Sequence, residues 1–220
     1  MRHAGGVTLP ESTLTARTAE QARLLLDLAY QRVLGPTMQG EVSAGEVARD
    51  AEITVKQAHH RLTRLCAAGL VAVTGERKRG GRPVKLYRAA APAYRVPFEL
   101  TEADDVRELF AGLHRPFVDA YLSHIAALVR DQVREIVLVL NSQGQLSVNY
   151  GGLRTRGDAF RAFGSVGEIR LSPATRAELE RRLRELKDWT LEREQEEREA
   201  GGAEDCLLGI MFTPGRLPER

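Results

Sequence analysis

Two helix-start signals lie eleven residues apart in this chain, and together they restrict its fold more than any other feature. Ser43-Ala44-Gly45-Glu46 and Thr54-Val55-Lys56-Gln57 each put a hydroxyl at a helix N-cap and a Glu or Gln three positions later. The hydroxyl accepts from the third amide while the longer side chain returns to the cap's own amide, so two orphan donors are satisfied together. Val47, Ala48 and Ala51 give the first helix an inward side, and Gly69 is a natural end for the second. One such box arises often by chance. Two of them, joined by the short turn Ala51-Glu52-Ile53, predict tandem helices in a helix-turn-helix.

The motif extends beyond Gly69. Leu70–Thr74 and Val84–Arg88 are rich in β-formers, and between them lies Glu76-Arg77-Lys78-Arg79-Gly80-Gly81-Arg82-Pro83. Two strands around a glycine- and proline-bearing tip predict a hairpin, which makes the unit a winged helix-turn-helix. From Thr54 to Ala90 there are nine Lys/Arg and one acid, a local excess of +8 in a chain whose total is +2. The rest of the chain therefore sums to about −6, and the positive charge is concentrated where a phosphate backbone would be gripped.

Stepping 100° per residue from Leu62 sorts the second helix, read over 55–68. Val55, Ala58, Leu65 and Cys66 fall inward, His59 lies at the boundary, and Lys56, Gln57, His60 and Arg64 fall outward with Arg61 on one flank. A helix in the major groove reads base edges, so Gln57 suits adenine, Arg61 or Arg64 suits guanine, and Lys56 suits phosphate. Arg77, Lys78, Arg79 and Arg82 on the wing, read over 75–84, and Lys85 beside it are placed for backbone or minor groove. For any one of these residues a solvated charged face is an equally good account; the combination favours nucleic acid. The alternative is a winged-helix module that binds protein or RNA without operator specificity.

Catalysis and metal chemistry have no local signature. There is no P-loop, dinucleotide glycine motif, HExxH or GxSxG, so no enzyme is expected. His59 and His60 are adjacent and diverge on a helix, His114 and His124 are ten apart, and Cys66 and Cys206 share no CxxC spacing. No metal and no cofactor are expected. No apolar run approaches the roughly 18 residues needed to span a bilayer, and Met1–Pro10 has no secretion-type core, which predicts a cytoplasmic protein without membrane contact.

The fold class read from the chain is α+β, with an N-terminal winged helix-turn-helix, a central helical segment and a small mixed α/β domain at the C-terminal end. Residues 1–16 read as a flexible arm, 17–90 as the winged unit, 91–132 as a linker and helical dimerisation segment, and 133–220 as the α/β domain. In detail, a helix is predicted from Thr18 to Leu34, ended by Gly35-Pro36. Ala89–Pro97 reads as a linker, and Thr101 as the cap of a long apolar-striped helix kinked or divided at Pro116. Beyond it, a hairpin is expected from Glu135–Leu140 and Gln145–Tyr150, a strand at Glu168–Leu171, and a strand at Leu207–Phe212. Between those strands, Ser172-Pro173 opens a helix whose stripe of Leu179, Leu183, Leu186 and Trp189 should cover the small sheet.

Residues 18–90 resemble the winged helix-turn-helix domain of bacterial transcription regulators, the ArsR-like group most of all. The wing Arg79-Gly80-Gly81-Arg82-Pro83-Val84-Lys85-Leu86-Tyr87 is similar to the glycine-arginine-proline wing of regulators related to the iron–sulfur repressor SufR. The resemblance implies a homodimer on an inverted-repeat operator in double-stranded DNA. Holding an unknown small-molecule effector, extending the dimer and contacting another protein are the roles open to the C-terminal domain. Two departures weigh against metal or cluster sensing. Glu46–Ile53 lacks the paired cysteines of the metal-sensing members, and only Cys206 follows the wing.

Overall fold

The computed structural model describes residues 10–78, 83–130, 133–140, 146–151, 169–201 and 204–215, and the chain divides into two compact units, Met1–His114 and Arg115–Arg220. The first unit begins with strand β1 (Thr13–Thr15), helix α1 (Ala19–Leu26) and helix α2 (Leu28–Gln39). Strand β2 (Val42–Ser43), helix α3 (Ala44–Asp50) and helix α4 (Val55–Ala67) follow, then strands β3 (Val71–Arg77), β4 (Val84–Ala89) and β5 (Ala93–Arg95). A single 3-10 turn at Phe98–Leu100 precedes helix α5 (Val106–Val129).

Both expected capping boxes are present. Ser43 accepts from the Glu46 amide and Glu46 from the Ser43 amide; Thr54 and Gln57 exchange the same pair. Between α3 and α4, Ile53 donates to the Ala48 carbonyl, and Glu52 takes the left-handed φ of 53° that tightens the turn. Helix α4 ends as its glycine predicted. Gly69, at φ 71°, donates to Cys66, and Leu70 donates back to Leu65, which satisfies two orphan carbonyls.

Three expectations for this unit are corrected. The helix read over Thr18–Leu34 is two helices, because Asp27 adopts an extended conformation and caps α2 by accepting from the Ala29 amide at 2.7 Å. Helix α2 then runs through Gly35-Pro36 to Gln39. Val33, Leu34 and Thr37 are buried there, and the Thr37 hydroxyl donates to the Leu34 carbonyl at 2.6 Å, so packing outweighs the amide that proline lacks. The arm and the linker are not both loose. Residues 1–9 lie outside the described residues, but β1 pairs in parallel with β5 in the register Thr13–Ala93, and Ala16 is buried.

The wing strands join β2 in an antiparallel sheet ordered β2-β4-β3, with a register shift between Val73 and Gly75. Leu24, Val33, Val47, Ala58, Leu62, Leu65, Leu70 and Tyr87 form the centre of one core shared by the helices and this sheet. Every buried described residue lies between Ala16 and Ala91.

Helix α5 starts later than expected. Thr101 instead closes the 3-10 turn, and Asp105 accepts from the Glu108 amide at 2.7 Å to open the helix. The helix continues through Pro116 as one element rather than two abutting ones. In the second unit, strands β6 (Glu135–Leu140) and β7 (Leu146–Gly151) form the expected hairpin, and Ser172 caps helix α6 (Pro173–Ala200) with Pro173 in its first turn. The helix does not present the buried stripe read from its sequence. Leu179 and Leu183 are half-buried, while Leu186 and Trp189 are exposed. Leu207–Phe212 and Ile169–Leu171 carry no strand, and Glu168 lies outside the described residues.

Candidate nucleic-acid interface

Helix α4 has two sides of opposite character. Ala58, Leu62 and Leu65 have no exposed surface and seal one side against the core. Lys56, Gln57 and His60 are exposed and Arg61 is half-buried, and with Thr54 these residues line one open concavity of ≈430 Å³ at the helix's N-terminal half. Four of the residues singled out for base or phosphate contact are thereby brought together. Val55, expected inward, is 57% exposed, because the first turn of α4 stands clear of the core; Cys66 is half-buried. His59, placed at the boundary, is exposed.

Gln57 is not wholly free for a base. Its amide oxygen accepts from the Thr54 backbone amide at 2.9 Å, which leaves its NH₂ group as the outward donor. Arg64 departs further from its expected role. Its guanidinium reaches Glu20 on α1 at 2.5 Å and lies 5.7 Å from the centre of the Tyr30 ring. It joins α4 to the helices behind it and does not line the concavity with the other four. Glu20 first and the Tyr30 phenol group second raise the Arg64 pKa, and Glu20 is lowered by Arg23 first and Arg64 second. Gln21, next to Glu20 on α1, makes the same connection at the C-terminal end of α4, donating to the Ala68 carbonyl at 2.8 Å.

On the wing, Lys78 and Lys85 are exposed, while Arg79 and Arg82 lie outside the described residues. Arg77, the last residue of β3, is tied to Glu46 on α3 at 2.9 Å. The Ser43 backbone amide, the Ser43 hydroxyl and Arg77, in that order, hold the Glu46 carboxyl down to about 2. Burial pushes the Cys66 thiol up, with Lys85 pulling it part of the way back, so the sulfur stays protonated at neutral pH. Sequence reasoning missed Glu20 and Glu46 as partners of this surface. They lie 44 and 31 residues from the arginines they hold, and no local pattern joins them.

Among the described residues no group of three or more His, Cys, Asp or Glu could hold a metal ion, and no helix is long and apolar enough to cross a membrane. Helix order, turn and three-stranded hairpin sheet define a winged helix-turn-helix unit within a mixed α/β chain.

No protein-family model matches the chain, and no curated protein matches it either. Solved structures are similar to parts of it. The homodimeric winged helix-turn-helix DNA-binding domain (fragment 1–100) of a possible ArsR-family transcriptional regulator from Mycobacterium bovis is 25% identical, with a TM-score of 0.27 over 48% of this chain and 82% of its own. A crystal structure of a 1–100 fragment of a possible transcriptional regulatory protein from the same organism is 25% identical at the same TM-score of 0.27, over 46% of this chain and 89% of its own. A possible transcriptional regulator for arsenical resistance is 20% identical, again with a TM-score of 0.27, over 52% of this chain and 98% of its own.

Proposed function

We propose that this chain is a sequence-specific transcriptional regulator that binds double-stranded DNA, with α4 in the major groove and the β3–β4 wing on backbone or minor groove. One observation carries the reading: α4 turns Lys56, Gln57, His60 and Arg61 to a shared concavity while its opposite side is sealed into the core. A helix held so firmly on one side and so polar on the other is shaped to be laid into a groove lined by anions and base edges. Exposed Lys78 and Lys85 extend the cationic surface onto the wing, and Arg79 and Arg82 belong to the same proposal by sequence. The regulator acts as a homodimer on an inverted repeat; exposed Val106, Phe110 and Leu122 on α5 supply apolar surface for a second copy.

Recovery of bound genomic fragments, followed by titration against operator and random duplex over a salt series, tests the assignment. Affinity for both should fall steeply with salt while operator preference persists. Lys56→Ala should weaken both. Arg61→Ala should relax preference by roughly 1–3 kcal/mol, the worth of one bidentate base contact. Arg79→Ala should weaken all duplexes alike, because phosphate contacts carry little sequence information. Equal losses on operator and random DNA from Arg61→Ala would show that α4 is not the reading helix.

A further inference from the structure

Two of the arginines that the cationic count assigns to the interface already have anions. Arg64 meets Glu20, and Arg77 meets Glu46, and both acids lie outside the basic stretch of 54–90. Each acid is pinned by other bonds. Glu20 is gripped by Arg23 through contacts of 2.7–3.0 Å, and Glu46 accepts from the Ser43 amide at 2.7 Å. Arg77 is the freer partner of its pair, 52% exposed against 33% for Glu46, whereas Arg64 and Glu20 are both part-exposed at 39% and 48%. We infer that Glu20 and Glu46 are built-in counter-anions that hold Arg64 and Arg77 off nucleic-acid phosphate, so that the winged unit grips random duplex less strongly than its cationic side chains allow.

The inference rests on the duplex-binding reading above and deepens it. Ion pairs this exposed contribute little to folding stability, so their effect falls on charge available to a partner. A guanidinium paired with a carboxylate offers a phosphate no net positive charge, although some of its five donors stay open, so the contact releases little counter-ion. Phosphate contacts position a protein without reporting sequence. Silencing two of them lowers binding to random DNA and leaves Lys56, His60 and Arg61 free to act on a chosen site.

The test uses the full chain, with Glu20→Gln and Glu46→Gln made separately and labelled random duplex titrated across a salt series. Glutamine serves at the third position of a capping box as glutamate does, so Glu46→Gln keeps the α3 start. Each variant should bind random duplex several-fold more tightly, with the slope of log affinity against log salt steeper by about 0.9, the signature of one added phosphate contact. The gain from Glu46→Gln should vanish when Arg77→Ala is added, and that from Glu20→Gln when Arg64→Ala is added. Acids that merely support the fold would shift the melting midpoint and leave the slope alone. Unchanged slopes in both variants, or weaker binding in both, overturn the inference while wild-type binding still stands. Wild-type protein that ignores duplex at low salt removes the underlying reading, and this inference with it.

Discussion

Glu46 shows how one side chain can serve both a helix start and a wing. Its carboxylate accepts from Ser43 and pairs with Arg77, and these partners hold its pKa at about 2 against the ordinary 4.5. A depressed carboxyl stabilises the fold fully above pH 4.5 and loses that contribution as pH falls toward 2. Urea midpoints measured down that range should therefore fall further for the wild type than for Glu46→Gln. Ser43→Ala, which removes the reciprocal hydroxyl, should cost about 1 kcal/mol in the same assay at neutral pH. In α4 the two apolar residues Leu62 and Val55 should behave differently. Leu62 has no exposed surface, and Leu62→Ala should cost about 2–5 kcal/mol through the cavity it leaves; Val55 is 57% exposed, and Val55→Ala should stay within about 0.5 kcal/mol.

Elements were legible in the sequence where their causes are local. A hydroxyl and a glutamate or glutamine three residues apart set the starts of α3 and α4, and a glycine set the end of α4, without help from the rest of the chain. Helical periodicity alone placed Lys56, Gln57 and His60 outward with Arg61 on the flank, and these four share the concavity; Arg64, placed outward by the same periodicity, does not line it. What could not be read depends on distant partners. Helix α2 passes Pro36 because Thr37 is buried, Arg64 turns to Glu20 from another helix, and β1 exists only because β5 lies beside it. The second unit failed differently: α6 has leucines at helical spacing, but Leu186 and Trp189 meet nothing among the described residues that buries them. Two substitutions probe the connections between elements. Tyr94, next in β5 to Ala93, donates to the Leu70 carbonyl at 2.6 Å, and Tyr94→Phe should lose about 1 kcal/mol by denaturation. Glu52 holds a left-handed conformation that glycine adopts freely, so Glu52→Gly should be neutral or stabilising by up to about 1 kcal/mol in the same melts.

At the scale of the whole molecule, burial is unevenly shared. All buried described residues fall between Ala16 and Ala91, whereas exposed apolar side chains recur on α5, β6 and α6. A fragment ending at Thr101 should therefore unfold cooperatively near the full chain's midpoint, while light scattering should show a dimer for the full chain and a monomer for the fragment. Parallel pairing of β1 with β5 adds a constraint of timing. Thr13 is made eighty positions before its partner Ala93. Throughout that interval the nascent chain carries a strand with no neighbour, and the first unit can close only when translation has passed Arg95.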